Sequence, residues 1–389
     1  LTLLDRGALP ESIHMGEQQA VLKLYRQRRH ITEAVAALEP YGVSSLVRER
    51  LVTILDEHDG RELYRFNPRL MATHLQLPER EMLGILVMGL KEGIFTLNWE
   101  IQCPICQSID FRPKHLHDLQ TLHTCPVCHS IHTTDADEQV RITFSLDERL
   151  RKLEPNTDDP DFRARMDRRY GVVSGHRMLT LQTFRDLFPR ETLPPSESLQ
   201  IRRVAILFTD LTGSTALYSR RGDARAFDLV RQHFNLLFQL VDENNGVVVK
   251  TIGDAVMGAF TNPADALQAA IAMHRKLAIL NQDLALPPED HLILKVGIDV
   301  GPCICVTLND RPDYFGITVN TAARVQATST GNAIAITDAL VNDRSVADTL
   351  RDCTWQRRDL LLKGLDAPVM VHYIFPNAID NSAQRVEPT

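Results

Sequence analysis

The period of hydrophobic and polar positions changes near residue 200. Downstream, residues 204–208 (Val-Ala-Ile-Leu-Phe) form an unbroken apolar run, the pattern of a strand covered on both faces. Phe227, Val230, Phe234, Leu237 and Val241 then recur at helical spacing as far as the stop signal Asn245-Gly246. Residues 247–250 and 255–260 predict two strands joined by the tight turn Thr251-Ile252-Gly253-Asp254. Asn262-Pro263 opens a second helix carrying Leu267, Ala270, Met273 and Leu277, and residues 292–300 predict a further strand. The order βαββαβ is that of a ferredoxin-like α+β sheet with two helices on one face.

Upstream, Asn67-Pro68 and Leu77-Pro78 each mark a helix start, and the second helix carries Met82, Leu83, Leu86, Val87 and Leu90. Residues 94–99 read as a strand. Residues 158–176 are charge-rich without an apolar period and read as a connector. Leu193-Pro194-Pro195-Ser196-Glu197-Ser198 has linker character. The linear reading is therefore a mainly helical N-terminal region, 1–190, a linker, 191–201, a C-terminal domain, 202–376, and a tail, 377–389.

Composition narrows the setting. The 389 residues, 44% of them hydrophobic, suffice for two or three domains with buried cores. A net charge of -7, from 43 Lys plus Arg against 50 Asp plus Glu, supplies no bulk positive field for nucleic acid or anionic membranes. No apolar run reaches the roughly 18–20 residues of a membrane span. The chain opens Leu1-Thr2-Leu3-Leu4 with no basic n-region or cleavage site, so no secretory signal is expected. Seven cysteines, four of them in two CxxC pairs, suit a metal site in a reducing compartment, and a cytoplasmic location is expected.

Three segments carry chemistry. Phe208-Thr209-Asp210-Leu211-Thr212-Gly213-Ser214-Thr215 sets a carboxylate at a strand end, followed by glycine and hydroxyl residues where a helix begins. The unpaired amides of Gly213, Ser214 and Thr215 at that helix start suit a polyphosphate held beside a metal on Asp210. Lys250-Thr251-Ile252-Gly253-Asp254 adds a second carboxylate in the neighbouring hairpin turn; two facing carboxylates repel unless a cation lies between them, and oxygen donors favour Mg²⁺ or Mn²⁺. In Asp313-Tyr314-Phe315-Gly316-Ile317-Thr318-Val319-Asn320-Thr321-Ala322-Ala323-Arg324, Asn320 and Arg324 share one helical face, an amide and a planar cation suited to a phosphoryl group gaining charge. Taken singly, the first segment fits a capped turn better than a phosphate site, the second also fits a solvated hairpin tip, and the third fits a surface arginine at least as well.

Together these segments, from about 202 to 375, resemble the class III adenylyl and guanylyl cyclase catalytic domain. The resemblance implies that Asp210 and Asp254 bind two Mg²⁺ or Mn²⁺ ions, that Gly213, Ser214 and Thr215 lie near the β and γ phosphates, and that Lys250 and Asp313 read the purine. It further implies that Asn320 and Arg324 act on the transition state, and that Lys363 in Leu361-Leu362-Lys363-Gly364-Leu365 meets the terminal phosphates. The reaction implied is in-line attack of the ribose 3′-hydroxyl on the α-phosphorus, expelling pyrophosphate. A lysine donor and an aspartate acceptor complement the N1 and N6 edge of adenine and mispair with guanine, which favours ATP and cyclic AMP. The family places its site at a two-fold interface, which implies a homodimer. The segment 301–311 lacks later glycines common in relatives, which bears on the interface.

In the N-terminal half, Cys103-Pro104-Ile105-Cys106 and Cys125-Pro126-Val127-Cys128 lie 18 residues apart, the spacing of two knuckles sharing one structural Zn²⁺ in a zinc ribbon at about 100–132. His115, His117, His123, His129 and His132 crowd the same stretch and read as surface residues; a redox dithiol is the lesser alternative. The helical pair before it carries only Arg80 and Lys91 in its second helix, too few for a nucleic-acid reader, so partner binding or packing is preferred. The region resembles N-terminal domains ahead of bacterial cyclase domains, implying a regulatory input whose ligand or protein partner is open. Rival readings are a guanylyl cyclase, a diguanylate cyclase, whose signature hairpin is replaced here by Ile252-Gly253-Asp254-Ala255-Val256, and a nucleotide-sensing scaffold without turnover.

Overall fold

The computed structural model describes residues 11–376 apart from residues 112, 332, 352 and 366; the tail read at 377–389 lies outside them. In chain order, helices α1 (Glu11–Ala36), α2 (Ser45–Glu57), α3 (Pro68–Leu75) and α4 (Glu79–Lys91) precede strands β1 (Phe95–Gln102), β2 (Ile109–Phe111), β3 (Leu122–Thr124), β4 (Ile131–Thr133) and β5 (Val140–Leu146). Helices α5 (Pro160–Tyr170), α6 (Gly175–Leu179) and α7 (Gln182–Leu187) follow. Then come β6 (Leu199–Leu211), α8 (Ser214–Arg221), α9 (Asp223–Glu243), β7 (Val247–Ile252), β8 (Ala255–Phe260) and α10 (Pro263–Asp283). The last elements are β9 (Leu294–Leu308), β10 (Arg311–Phe315), α11 (Ile317–Thr328), β11 (Ile334–Thr337), α12 (Asp338–Val341), α13 (Ala347–Arg351), β12 (Thr354–Leu360) and β13 (Val369–Phe375). Among the described residues no helix is long and apolar enough to cross a membrane.

Contacts divide the chain into two interleaved units, one of Leu1–Asn98 with Ile142–Val173, the other of Trp99–Arg141 with Ser174–Thr389. The division does not follow the linear boundary at 191–201, because the cysteine segment groups with the C-terminal domain. β6 moreover begins at Leu199, inside the stretch read as linker.

In the first unit, Asn67 caps α3 by accepting from the Arg69 amide at 2.9 Å, and Pro68 occupies the first helical turn, where no amide partner is needed. α4 buries Met82, Leu83, Leu86 and Val87, as its apolar period predicts. The connector reading of 158–176 is corrected: α5 forms there although it buries no residue. Its cause is capping, since Asp159 accepts from the Phe162 amide at 2.8 Å and Pro160 fits the first turn. Hydrophobic period carries no trace of such a helix.

The second unit is built on one long sheet of order β12-β13-β11-β9-β6-β8-β7, with β10 paired to β9. Within it β9-β6-β8-β7 is wholly antiparallel, and the chain order β6-α9-β7-β8-α10-β9 is the expected ferredoxin-like pattern. Helices α9 and α10 share the core of this sheet, with Val230, Leu237, Val241, Leu267, Ala270, Met273 and Leu277 buried against Leu207, Val296 and Ile298. Phe227 departs from expectation. It is 59% exposed, and Leu229 and Leu240 take the buried face. β9 runs to Leu308, well beyond the strand predicted at 292–300, because residues 301–308 pair with β6 and β10.

Candidate active site

The buried run of β6 ends at Thr209, whose Oγ1 accepts from the Val256 amide of β8 at 3.0 Å and locks the two strands together. Asp210 is the next residue and is half-buried. Asp254 sits in the β7–β8 turn, with its Oδ2 accepting from the Leu211 amide at 3.3 Å. Burial and the charge of Asp254 both raise the Asp210 pKa, while Lys295, opposite it on β9, and Gln326 pull the other way. Two carboxylates held this close have an unmet need for positive charge, so the donor set fits divalent cations. Gly213 (φ 72°) turns the chain into α8, and no atom lies within 4 Å of where its Cβ would be. The amides that open α8 at Ser214 and Thr215 therefore border open space beside the carboxylates, as an anion site requires.

Lys250 and Asp313 meet. Lys250 Nζ lies 2.6 Å from Asp313 Oδ2, with the carboxylate side chain 6% exposed and the lysine 33%. The second oxygen, Oδ1, accepts from the Tyr314 amide at 2.8 Å, and the ammonium stands 5.4 Å over the Phe315 ring. The hairpin that delivers Asp313 turns through Asn309 and Asp310, both with left-handed backbones, and β7 shifts register between Val248 and Lys250. Helix α7 braces both strands. Gln182 Oε1 accepts from the Val248 amide at 3.0 Å, and Arg185 Nη2 donates to the Pro312 carbonyl at 2.8 Å.

Asn320 and Arg324 project from α11, Asn320 exposed and Arg324 half-buried. The helix seats on β9 at Gly297, where even a Cβ would come within 2.2 Å of the Gln326 nitrogen. Arg324 Nη2 lies 3.2 Å from the position a Cβ would take on Gly364. Leu362 is buried with Val325 of α11 and with Val371, so the exposed Lys363 is held in the neighbourhood of Arg324. Among the described residues, no hydrogen bond or ion pair joins Asp210 or Asp254 to Asn320, Arg324 or Lys363.

The four cysteines also converge. Cys103 and Cys128 sulfurs are 3.7 Å apart, Cys106 and Cys125 3.6 Å, and all four lie within 4.8 Å of one another. Zn–S bonds of 2.3 Å in a tetrahedron require sulfur separations of about 3.8 Å, so the set fits. The two knuckles are alike: the Gln107 and His129 amides donate back to Cys103 and Cys125, and both residues have left-handed backbones. Hydrogen bonds from Ser130 push the Cys103 thiol down to about 5, and the Cys128 amide lowers Cys125. β2 pairs with β1, while Gln200 at the start of β6 bridges Asp135. Arg202 Nε donates to Asp135 Oδ2 at 2.5 Å, and His176 Nδ1 lies 2.6 Å from Asp137 Oδ1.

Gln182, Arg185, Lys295 and Gln326 carry no motif. Their contribution comes from tertiary contact alone; only Lys295 had a local cue, a charge inside a predicted strand that is apolar but for it and Asp299.

Residues 197–374 match the model of the adenylate and guanylate cyclase catalytic domain, and residues 32–167 match a family of unknown function (DUF5939). Similar proteins include the adenylate cyclase of Streptomyces coelicolor, 32% identical over 155 residues, or 40% of this chain and 36% of that protein. Guanylate cyclase 2G of Rattus norvegicus is 29% identical over 162 residues, 38% of this chain and 15% of its own length. The adenylyl cyclase CyaB from P. aeruginosa aligns over 46% of this chain and 95% of that structure, at 23% identity and a TM-score of 0.41. The C-terminal part of the chain is thus similar to adenylate and guanylate cyclase catalytic domains over 197–374, a little under half of its length. The chain spans well under half the length of either curated relative.

Proposed function

We propose that the protein is an adenylate cyclase that converts ATP to 3′,5′-cyclic AMP and pyrophosphate. The observation that carries this reading is the Lys250–Asp313 pair, which offers an ammonium donor and a carboxylate acceptor side by side. Adenine satisfies both groups, accepting at N1 and donating from N6; guanine presents the reverse pattern and would leave a buried polar group mispaired. Asp210 and Asp254 would hold two Mg²⁺ or Mn²⁺ ions, which when bound supply a lowered pKa for the ribose hydroxyl and charge neutralisation at the leaving phosphates. The α8 amides at Gly213, Ser214 and Thr215 orient the polyphosphate, Asn320 orients the ribose, and Arg324 with Lys363 offsets charge at the phosphates.

A homodimer is the active form in this reading. Its support is the resemblance to the class III family, which builds its site at a two-fold interface with the metal carboxylates from one copy and the purine and transition-state residues from the other. Cys103, Cys106, Cys125 and Cys128 would hold structural Zn²⁺, and the N-terminal region would receive a regulatory ligand or protein. The test is direct: purified protein with Mn²⁺ releases cyclic AMP and pyrophosphate from ATP, with turnover of GTP at least tenfold slower. Equal or faster GTP turnover would reassign it as a guanylate cyclase, and tight ATP binding without product would make it a scaffold.

A further inference from the structure

We propose that His58, Glu62 and His74 form a second metal site, in the helical unit, for a borderline divalent transition ion of the zinc class. The three residues lie in three separate turns. His58 closes α2, its amide donating to the Ile54 carbonyl at 3.1 Å. Glu62 ends the short 3-10 turn Gly60–Glu62, which Asp59 caps by accepting from the Arg61 amide at 2.9 Å. His74 belongs to the last turn of α3.

These turns aim at one point. His58 Nδ1 is 2.7 Å from Glu62 Oε2, and His74 Nε2 is 3.2 Å from the same oxygen. The two imidazoles stand at 83° with centroids 4.8 Å apart, and the three donor atoms all fall within 4.8 Å of one another. Ligand bonds of about 2.0–2.2 Å in a tetrahedron call for donor separations of about 3.4 Å. The carboxylate oxygen need therefore retreat only slightly to admit an ion. Their backbones are held independently of any ion: Arg151 donates to the Leu55 and His58 carbonyls at 2.9 and 3.0 Å, and α3 buries Leu70, Met71 and Leu75.

The chemistry of the cluster favours a cation over a plain hydrogen-bonded triad. Glu62 Oε2 is already engaged by His58, and the buried His74 Nε2, 3.2 Å from that same oxygen, makes no well-aligned hydrogen bond to it. A buried polar atom left so is costly unless something else occupies its lone pair. Two imidazoles and one carboxylate are a zinc-type donor set; magnesium and calcium prefer oxygen alone. The side chains are 24% to 31% exposed, so a fourth position faces solvent. The four-thiolate cluster is closed by its own ligands, whereas this site would exchange its ion and its fourth ligand.

The experiment uses the full chain, dialysed against metal-free buffer and titrated with Zn²⁺ and, separately, with Co²⁺. Wild type should bind one equivalent more than Glu62→Gln or His74→Asn, each checked by circular dichroism for retained helix. With Co²⁺, that equivalent should add visible d–d absorption without added near-ultraviolet thiolate charge transfer, which separates it from the cysteine cluster whatever the occupancy there. Metal should also raise the melting temperature of wild type more than that of Glu62→Gln. Equal stoichiometry in wild type and folded Glu62→Gln, or an extra equivalent that carries thiolate charge transfer, would overturn the proposal. Should His74→Asn fail to fold, Glu62→Gln alone decides.

Discussion

Two pairs of charged side chains in the C-terminal domain are built on opposite principles. Lys250 and Asp313 neutralise each other at 2.6 Å, with the second carboxylate oxygen satisfied by a backbone amide. Asp210 and Asp254 repel, and burial raises the cost, which is why the Asp210 pKa is pushed up. The first pair is complete as it stands and, under the function proposed above, would open to meet a base. The second carries uncompensated charge, which the proposed cations would neutralise. Under that proposal selectivity would lie in a bond that substrate replaces, and catalysis in a deficit that metal fills.

The contrast can be broken most severely at Asp210. Asp210→Ala should lower cyclase activity by roughly 10³-fold or more, the equivalent of losing several kcal/mol of metal-assisted stabilisation. In metal-free buffer the same change should leave the melting temperature level or raised, because it removes repulsion; a marked fall would contradict the deficit. Next in size is Gly297→Ala. A methyl group there meets the α11 backbone, so the helix must shift, and displacement of Asn320 and Arg324 by even 1 Å should cost about 10²-fold in kcat with both charged pairs intact.

A third effect concerns the helices behind the sheet. Burial depresses His274 on α10 to about 4, against an ordinary value of 6.5. Between these values the unfolded chain binds more protons than the folded one, so stability is complete above about pH 6.5 and is lost as pH falls towards 4. The loss should approach about 3 kcal/mol, and His274→Leu should flatten melting temperature against pH across that window. The smallest expected change is Lys250→Ala, which strands a buried carboxylate. Because the lysine is a third exposed, the cost should be about 1–2 kcal/mol by denaturant titration, accompanied by a loss of ATP over GTP preference.

Much of this was legible in the chain because it depends on local pattern. The apolar run before Asp210, the turn around Gly253 and the α11 spacing of Asn320 and Arg324 each specify an element and a residue upon it. The twin Cys-x-x-Cys knuckles are equally local. What was not legible arises from capping or from distant partners. α5 rests on Asp159 and Pro160 and buries nothing, so period could not signal it. Phe227 obeyed the helical period yet lies outside, since an exposed aromatic on a helix looks the same in sequence as a buried one. The brace of Gln182 and Arg185 on the strands of Lys250 and Asp313 joins residues 66 and 127 positions apart. His58, Glu62 and His74 likewise come from three turns that no motif links.

The interleaving of the two units has a consequence for how such a chain is inherited and made. β6 opens with Gln200 bonded to both Thr134 and Ala136, and the Arg202 amide donates to Asp137 at 2.8 Å. The long sheet therefore begins on residues that left the ribosome some sixty positions earlier, while the first helices wait for residues up to Val173 before their own unit closes. No single cut in the gene separates the parts. Recombination that transplanted this sheet as a cassette starting at residue 202 would leave its first strand without the Thr134–Asp137 edge, so the cysteine knuckles and the long sheet must travel together.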